Sequence, residues 1–344
     1  MTWAPLLLAD PSPCLRQRVL RELLGRPEDD PELRELDPFR ETDPLVFDLL
    51  SLQRPDGSWG RAEIDAKGGI GRLQATSIAL SRLGYLGFPP EHPAVRRGAE
   101  FLFSKQRKDG AWPLSRERDD AEEEGAYTMM PLQTALPLRG LAMCGYIADS
   151  RCERACDWLL AQRLEDGAWP TGIAADNYGY VAGYRKLAHS RWGCRSNTTG
   201  ALSCLALHPE RRTTPETRRA LDLLLGRETR DRHALGHEIA RLTGAESARG
   251  FITFYARFDA AQILDLCWRI GATAEDERVA GLIEFIRDQQ NGHGLWEYPS
   301  QPQATRWISF DLLRSLSHLD ETGDWLSMEP RTPFQTYARK RPRY

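Results

Sequence analysis

One phrase recurs along this chain and restricts its architecture more than any other feature. It reads Leu49-Leu-Ser-Leu-Gln53-Arg-Pro-Asp-Gly57-Ser-Trp59 in its first copy. It returns as Leu102-Phe-Ser-Lys-Gln106-Arg-Lys-Asp-Gly110-Ala-Trp112 and as Trp158-Leu-Leu-Ala-Gln162-Arg-Leu-Glu-Asp-Gly167-Ala-Trp169. A further copy is Phe285-Ile-Arg-Asp-Gln289-Gln-Asn-Gly-His-Gly294-Leu-Trp296, and a worn one is Leu223-Leu-Leu-Gly-Arg227. With the Gln position as register, the copies fall at 53, 106, 162, 227 and 289, at intervals of 53, 56, 65 and 62 residues. Such a period marks an array in which each supersecondary unit buries a face against the next.

Each part of the phrase has a structural use. An apolar residue four positions before the Gln closes a helix with a buried stripe. Asp-Gly supplies a turn whose glycine accepts positive φ. The Gln amide is suited to satisfy backbone groups left over where a helix stops. The Trp buries a large ring while its indole N–H finds a carbonyl. These residues are read as staples rather than catalysts.

Between the phrases lie more apolar helices, expected over 73–86, 132–147, 198–207, 258–270 and 306–319. A polar helix ending in the phrase, alternating with an apolar helix, gives an all-α fold: an α/α toroid of about five to six helix pairs, the apolar set inside. Residues 1–44 form a helical preamble expected on the outside of the first repeat, with helices after Asp10-Pro-Ser-Pro and from Pro31. The barrel is expected over 45–325, followed by a basic tail with prolines over 326–344. Three long loops, 113–130, 170–195 and 228–257, should crowd one rim, the place to look for a pocket mouth.

The phrase, Gln-x3-5-Gly-x-Trp after an aliphatic or aromatic helix end, resembles the QW repeat of squalene–hopene and oxidosqualene cyclases. Related repeats occur in the beta subunits of protein prenyltransferases, and the chain is similar to single-domain proteins built from prenyltransferase and squalene-oxidase repeats. The resemblance runs from about residue 45 to about residue 320. It implies the scaffold; the reaction has to be argued from a site.

Charge and cysteines narrow the setting. Forty-six Lys and Arg against 49 Asp and Glu leave a net charge of −3, which suggests no nucleic-acid groove. The 7 cysteines show no disulfide framework, so a reduced, cytoplasmic location is expected. The first ten residues lack a signal peptide's basic flank, and no segment approaches a spanning helix, leaving at most peripheral membrane contact, for which the basic tail is the candidate.

Candidate chemistry begins at the starts of the inner helices. Gln74 and Thr76, Gln133 and Thr134, Asn197 and Thr198, Asp259, and Thr305 or Arg306 are polar residues at equivalent places. They serve as N-caps, or their converging helix ends hold an anion. Asp259 stands apart. Phe258-Asp259-Ala-Ala-Gln-Ile-Leu-Asp265-Leu-Cys267 resembles the helix that opens with the Asp-x-Asp-Asp motif of class II terpene cyclases. Asp259 falls on the last Asp, whereas Ala256 and Phe258 replace the two earlier ones. In that family the middle Asp protonates an alkene or epoxide, so a lone Asp259 is the proton donor only where burial raises its pKa, and an N-cap otherwise.

Aromatic residues gather near the expected rim: Tyr127, Tyr178, Tyr180, Tyr184, Trp192, Phe251, Phe254, Tyr255, Phe258 and Trp307. Such faces stabilise cations and line apolar pockets. The substrate-binding set expected here is Tyr127, Gln133, Tyr184, Trp192, Asn197, Phe254, Tyr255, Phe258, Arg306 and Trp307, with Asp259 catalytic. Asp265-Leu-Cys267 matches in wording the zinc pair of prenyltransferases, but no His stands at the expected place in the last inner helix. Asp119-Asp-Ala-Glu-Glu123 resembles a magnesium-diphosphate motif set in a charged loop, and Cys204 and His208 share a face without a third ligand. No metal and no cofactor is expected.

The expected function is a terpene-cyclase-like enzyme acting on a polyprenyl or other isoprenoid substrate in an aromatic-lined cavity, with a small apolar ligand as its partner. Two alternatives stand beside it. One is a non-catalytic barrel that binds an apolar ligand or a protein, and the other is a zinc-dependent prenyltransferase-like subunit.

Overall fold

A computed structural model of the protein describes residues 3–60, 71–112, 130–174, 177–226, 234–248 and 253–319. The first helices are α1 (Trp3–Leu8), α2 (Pro13–Arg18, continued by a π-helical turn Val19–Leu23), α3 (Pro31–Leu36) and α4 (Pro44–Ser51). Then come α5 (Arg72–Tyr85), α6 (Pro93–Ser104), α7 (Pro131–Met143), α8 (Ser150–Ala161), α9 (Arg195–Leu205) and α10 (Pro215–Leu225). The remainder are α11 (His237–Leu242), α12 (Ala260–Ile270), α13 (Glu277–Asp288) and α14 (Thr305–Leu319). One minimal hairpin, β1 (Ile173–Ala174) against β2 (Asn177–Tyr178), is the only strand pairing among the described residues.

The fold is the expected all-α toroid. The inner helices α5, α7, α9, α12 and α14 are buried on nearly every side, and among their polar positions are buried charges, Arg139 on α7 and Asp311 and Arg314 on α14. The outer helices bury one stripe each: Val95, Ala99 and Leu102 on α6; Cys152, Cys156 and Leu159 on α8; Val279, Ile283 and Ile286 on α13. That spacing of three and four is one face of a helix. Asp149, Thr214 and Asp276 cap α8, α10 and α13 with their side chains.

The inner ring closes on itself. α5 packs on α7, α7 on α9 and α12 on α14. Gln262 on α12 donates to Ser203 Oγ on α9 at 3.2 Å. Tyr85 at the end of α5 meets Trp307 on α14 with ring centroids 5.5 Å apart. The α5–α7 contact is close enough to require glycine: a Cβ at Gly140 would lie 2.7 Å from the Ser77 carbonyl oxygen.

The recurring phrase acts as a staple, with a register set by Trp. Each indole N–H donates to the carbonyl ten residues earlier: Trp59 to Leu49 at 2.7 Å, Trp112 to Leu102 at 2.8 Å, Trp169 to Leu159 at 2.6 Å and Trp296 to Ile286 at 2.7 Å. Each Trp backbone N–H donates to a hydroxyl on the following inner helix: Thr76, Thr134, Thr198 and Ser309. Gln53 and Gln106 bond the turn carbonyls of Gly57 and Gly110 and reach the next outer helix at Ala94 and Arg151. In the last copy Gln290, and not Gln289, holds the Gly294 carbonyl, because Gln290 is the residue six before its Trp. Counting from Gln289 misplaces that staple by one position.

The N-terminal helices sit elsewhere than on the first repeat alone. Arg18 donates to the Tyr85 carbonyl and Arg40 to the Gly87 carbonyl at the end of α5. Asp10 and Glu22 pair with Arg306 and Arg314 of α14. The segment therefore straps the seam where the first and last inner helices meet.

α11 occupies the axis of the ring. All six of its residues are buried, and it packs on α5, α12 and α14. Gly236, at φ +82, leads into it, and a Cβ there would meet the Ile308 side chain at 2.6 Å.

Candidate functional site

Inside the ring, toward the C-terminal ends of the inner helices, lies a chamber of about 160 Å³. Every inner helix contributes to its wall: Tyr85, Met143, Ala206, Leu266 and Asp311 represent α5, α7, the end of α9, α12 and α14. Glu238, Ile239 and Leu242 of α11 enter from the axis, and Arg18 from the N-terminal strap. The pocket was expected at the rim of the three long loops, beside the inner-helix N-termini. The chamber found among the described residues lies nearer the other ends of these helices, while most of loop 113–130 and parts of the other two loops lie outside the described residues.

The wall is part apolar and part charged. Glu238 is paired with Arg139 of α7 and with Arg241 on its own helix. Burial pushes its carboxyl upward, but the two guanidiniums outweigh that and hold it below the ordinary range. Asp265 of α12 pairs with Arg269 at 2.8 Å and with Arg314 at 3.0 Å. Against the same opposing burial, these two hold Asp265 down at about 2. Asp311 of α14 is buried, pairs with Arg314, and accepts a hydrogen bond from the Tyr85 hydroxyl at 2.8 Å. There burial wins over Arg314 and Arg18, and Asp311 is raised.

Asp259 is the N-cap of α12 and sits outside the chamber wall. Its Oδ1 accepts from Gly236 N at 2.8 Å and Ala261 N at 3.2 Å, and its Oδ2 from Glu238 N at 2.7 Å. It thereby ties the start of α11 to the start of α12. Burial lifts its pKa to about 6 in spite of these bonds.

The other expected site residues scatter. Gln133 closes the first turn of α7 by accepting from Met130 N, and Asn197 accepts from Leu132 N at 2.8 Å. Phe254 and Tyr255 face a smaller internal void with Arg139, Glu238 and Arg241, where protein guanidiniums already cover their rings. Phe258 is buried next to Asp259, Trp307 lies against Tyr85, and Arg306 is bonded to Asp10. Tyr184 is 58% exposed, and Trp192 packs on Tyr178 at 5.9 Å, so this pair lies on the exterior. Tyr127, Phe251 and the acidic stretch 119–123 lie outside the described residues. Thr76, Thr134 and Thr198 cap nothing; they hold the Trp turns.

The wording of Asp265-Leu-Cys267 does not become a site. Asp265 is bonded to arginines and to the Trp268 indole, while the buried Cys267 thiol is pushed up to about 12 and faces the outer-shell charges Arg218 and Asp276. Among the described residues no three His, Cys, Asp or Glu side chains converge as metal ligands. No described helix is long and apolar enough to cross a membrane.

The residues that reading the sequence missed are Arg18, Tyr85, Arg139, Glu238, Asp311 and Arg314. A signal for some was present. Arg139, Asp311 and Arg314 are charges inside otherwise apolar helices, which are seldom buried unpaired.

Comparison with known proteins bears on this arrangement. Residues 33–183 match the squalene-hopene cyclase C-terminal domain. The squalene–hopene cyclase of Zymomonas mobilis subsp. mobilis is 28% identical over 123 residues, which is 35% of this chain and 18% of that protein. A lanosterol synthase of Saccharomyces cerevisiae is 33% identical over 123 residues, 35% of this chain and 16% of that protein. The chain thus spans less than a fifth of the length of these relatives. Among solved structures, the type II terpene cyclase MstE from Scytonema aligns over 82% of this chain and 73% of its own, at 17% identity and a TM-score of 0.48. The region matched at 33–183 contains three of the Trp staples and ends before Asp259 and before α12 and α14.

Proposed function

We propose, from the match of residues 33–183 to the squalene-hopene cyclase C-terminal domain, that this chain is a terpene-cyclase-like enzyme whose isoprenoid substrate enters the chamber between the inner helices. The observation that carries this reading is the chamber itself, which combines an apolar wall (Met143, Leu207, Leu242 and Leu266) with the raised carboxyl of Asp311. An apolar pocket with a few convergent polar groups is the arrangement that small-molecule sites share. The apolar wall holds a hydrocarbon end, and the Asp311 carboxyl stands beside it as a polar group of the same wall. At about 160 Å³ the chamber takes one end of a polyprenyl chain, since whole-ligand sites run to roughly 300–1,000 Å³.

The test is turnover of squalene, oxidosqualene, farnesyl diphosphate and geranylgeranyl diphosphate, read by mass spectrometry. Wild type is compared with Leu207→Trp, which narrows the chamber at a partly exposed position. A cyclic product from wild type that the blocked variant fails to make supports the reading. Equal product from both removes the chamber as the site.

A second reading, a barrel that binds an apolar ligand without reaction, is favoured by one observation: α11 fills the axis that a long substrate would otherwise use. Saturable uptake of a fluorescent prenyl probe, with no product from any of the four substrates, selects it.

A further inference from the structure

We infer that the chamber recognises a neutral hydroxyl: Gln262 of α12 and Arg139 of α7 form a polar subsite for the alcohol end of an isoprenoid whose carbons lie on the apolar wall. The inference rests on the reading proposed above, that an isoprenoid enters this chamber. Both side chains line it, Gln262 with 8% and Arg139 with 9% of its surface exposed.

Ser203 of α9 fixes which way the Gln262 amide points. Its hydroxyl donates to the Thr199 carbonyl, one turn earlier on α9, at 2.8 Å. That spends its only proton, so toward Gln262 it can only accept, and it does so from Nε2 at 3.2 Å. The amide nitrogen is thereby held on Ser203. Oε1 is left on the other side, where no described residue donates to it and the chamber is the space beside it.

Arg139 has capacity left as well. Its Nη1 donates both to Glu238 Oε1 and to the Tyr255 hydroxyl, while no described acceptor meets Nη2. Cys204, next to Ser203, donates to the Ala135 carbonyl one turn before Arg139 at 3.1 Å, so the Gln262–Ser203 pair and Arg139 stand on the same side of the chamber. A ligand group that serves both must accept from a guanidinium and donate to an amide oxygen. A hydroxyl does both. An ionised carboxylate or diphosphate has no proton for Oε1, and a hydrocarbon leaves both protein groups unpaired in an apolar place.

The charges of the wall point the same way. Arg18, Arg139, Arg269 and Arg314 meet Glu22, Glu238, Asp265 and Asp311 in ion pairs, four charges of each sign. Arg241, on the far side of Glu238, faces the charge of Asp259. The described wall thus balances itself and keeps no surplus cation for an anionic ligand. A site built to hydrogen-bond a hydroxyl also rejects the analogue that lacks it, because its own buried groups are then left unpaired.

The experiment measures displacement of a fluorescent prenyl probe by four competitors. These are farnesol, farnesyl methyl ether (which accepts but cannot donate), the triene hydrocarbon without oxygen, and farnesyl diphosphate. Wild type is compared with Gln262→Leu, Ser203→Ala and Leu207→Trp, each checked for fold by circular dichroism. Farnesol should bind wild type about 10-fold or more tighter than the ether or the triene, the share of a hydrogen bond whose buried partner is otherwise unpaired. It should also bind tighter than the diphosphate. Gln262→Leu should bring farnesol to within about 2-fold of the ether, and Ser203 keeps its bond to Thr199 in that variant. Ser203→Ala frees the amide to turn its nitrogen toward the ligand, so the ether should gain on farnesol, which a merely structural Gln262 would not produce. Farnesol, ether and triene binding wild type alike, tighter binding of the diphosphate, or an undiminished preference in Gln262→Leu overturns the hydroxyl assignment and leaves the chamber reading intact. Farnesol binding that Leu207→Trp does not weaken, or folded wild type that binds none of the four, overturns both.

Discussion

Glu238, on the helix that fills the barrel axis, is seated against Arg139 of the surrounding ring, with 4% and 11% of their side chains exposed. The pair forms part of the chamber wall and, with Arg241, pins α11 in place. Removing one partner of a buried ion pair leaves the other charge uncompensated, at a cost of about 3–5 kcal/mol. Glu238→Gln should therefore destabilise the protein by that order in urea unfolding. Combining it with Arg139→Met should show coupling of about 0.5–3 kcal/mol in a double-mutant cycle. Additive losses would mean that the two side chains do not act as a pair.

The Asp259 carboxyl gives stability a pH dependence of known sign. Its folded pKa, about 6, lies above the ordinary 3.8, so the folded state favours the protonated form. That contribution is complete below about pH 4 and is lost as pH rises through 6. Wild type should accordingly gain on Asp259→Asn between pH 7 and pH 4, by up to about 3 kcal/mol at ~1.4 kcal/mol per pKa unit. Melting both proteins across that range checks it. A gap that narrows toward low pH would show that the carboxylate, and not the acid, is the favoured buried form.

Trp169→Phe tests the staple. The ring volume is largely kept, but the Leu159 carbonyl loses its donor inside the protein. An unsatisfied buried acceptor costs about 1–3 kcal/mol, and Trp169→Ala should add the cavity for about 3–5 kcal/mol in total. Equal losses for Phe and Ala would assign the staple's value to the hydrogen bond alone.

Two glycines should respond in opposite directions. Gly140→Ala places a methyl 2.7 Å from the Ser77 carbonyl and forces α5 and α7 apart, costing about 1–3 kcal/mol. Gly281, within α13, meets nothing within 4 Å, and Gly281→Ala should stabilise by about 0.5–1 kcal/mol through helix propensity and the unfolded chain. Chemical denaturation of the two variants separates packing from propensity.

Much of the fold was legible because each staple uses residues close in sequence. An indole reaching a carbonyl ten residues back is a local event, so its signature repeats wherever the unit repeats. Even the error in the last copy was local, Gln289 read where Gln290 bonds, and a count from Trp would have avoided it. Asp259 was legible as a special residue, but its two roles looked alike in sequence. Only the position of Gly236 and Glu238 shows that its oxygens are occupied by backbone.

What the sequence by itself determined is the period, the alternation of half-buried and fully buried helices, and hence a closed ring of helix pairs. What only the tertiary structure decided is the interior. Six buried residues of α11 pack against the inner helices, and carboxyls and guanidiniums from positions as distant as Arg18, Arg139, Glu238 and Asp311 line one chamber. The reason is physical: periodicity reports which face of a helix is buried, while a buried charge is set by partners that ring closure brings from far along the chain.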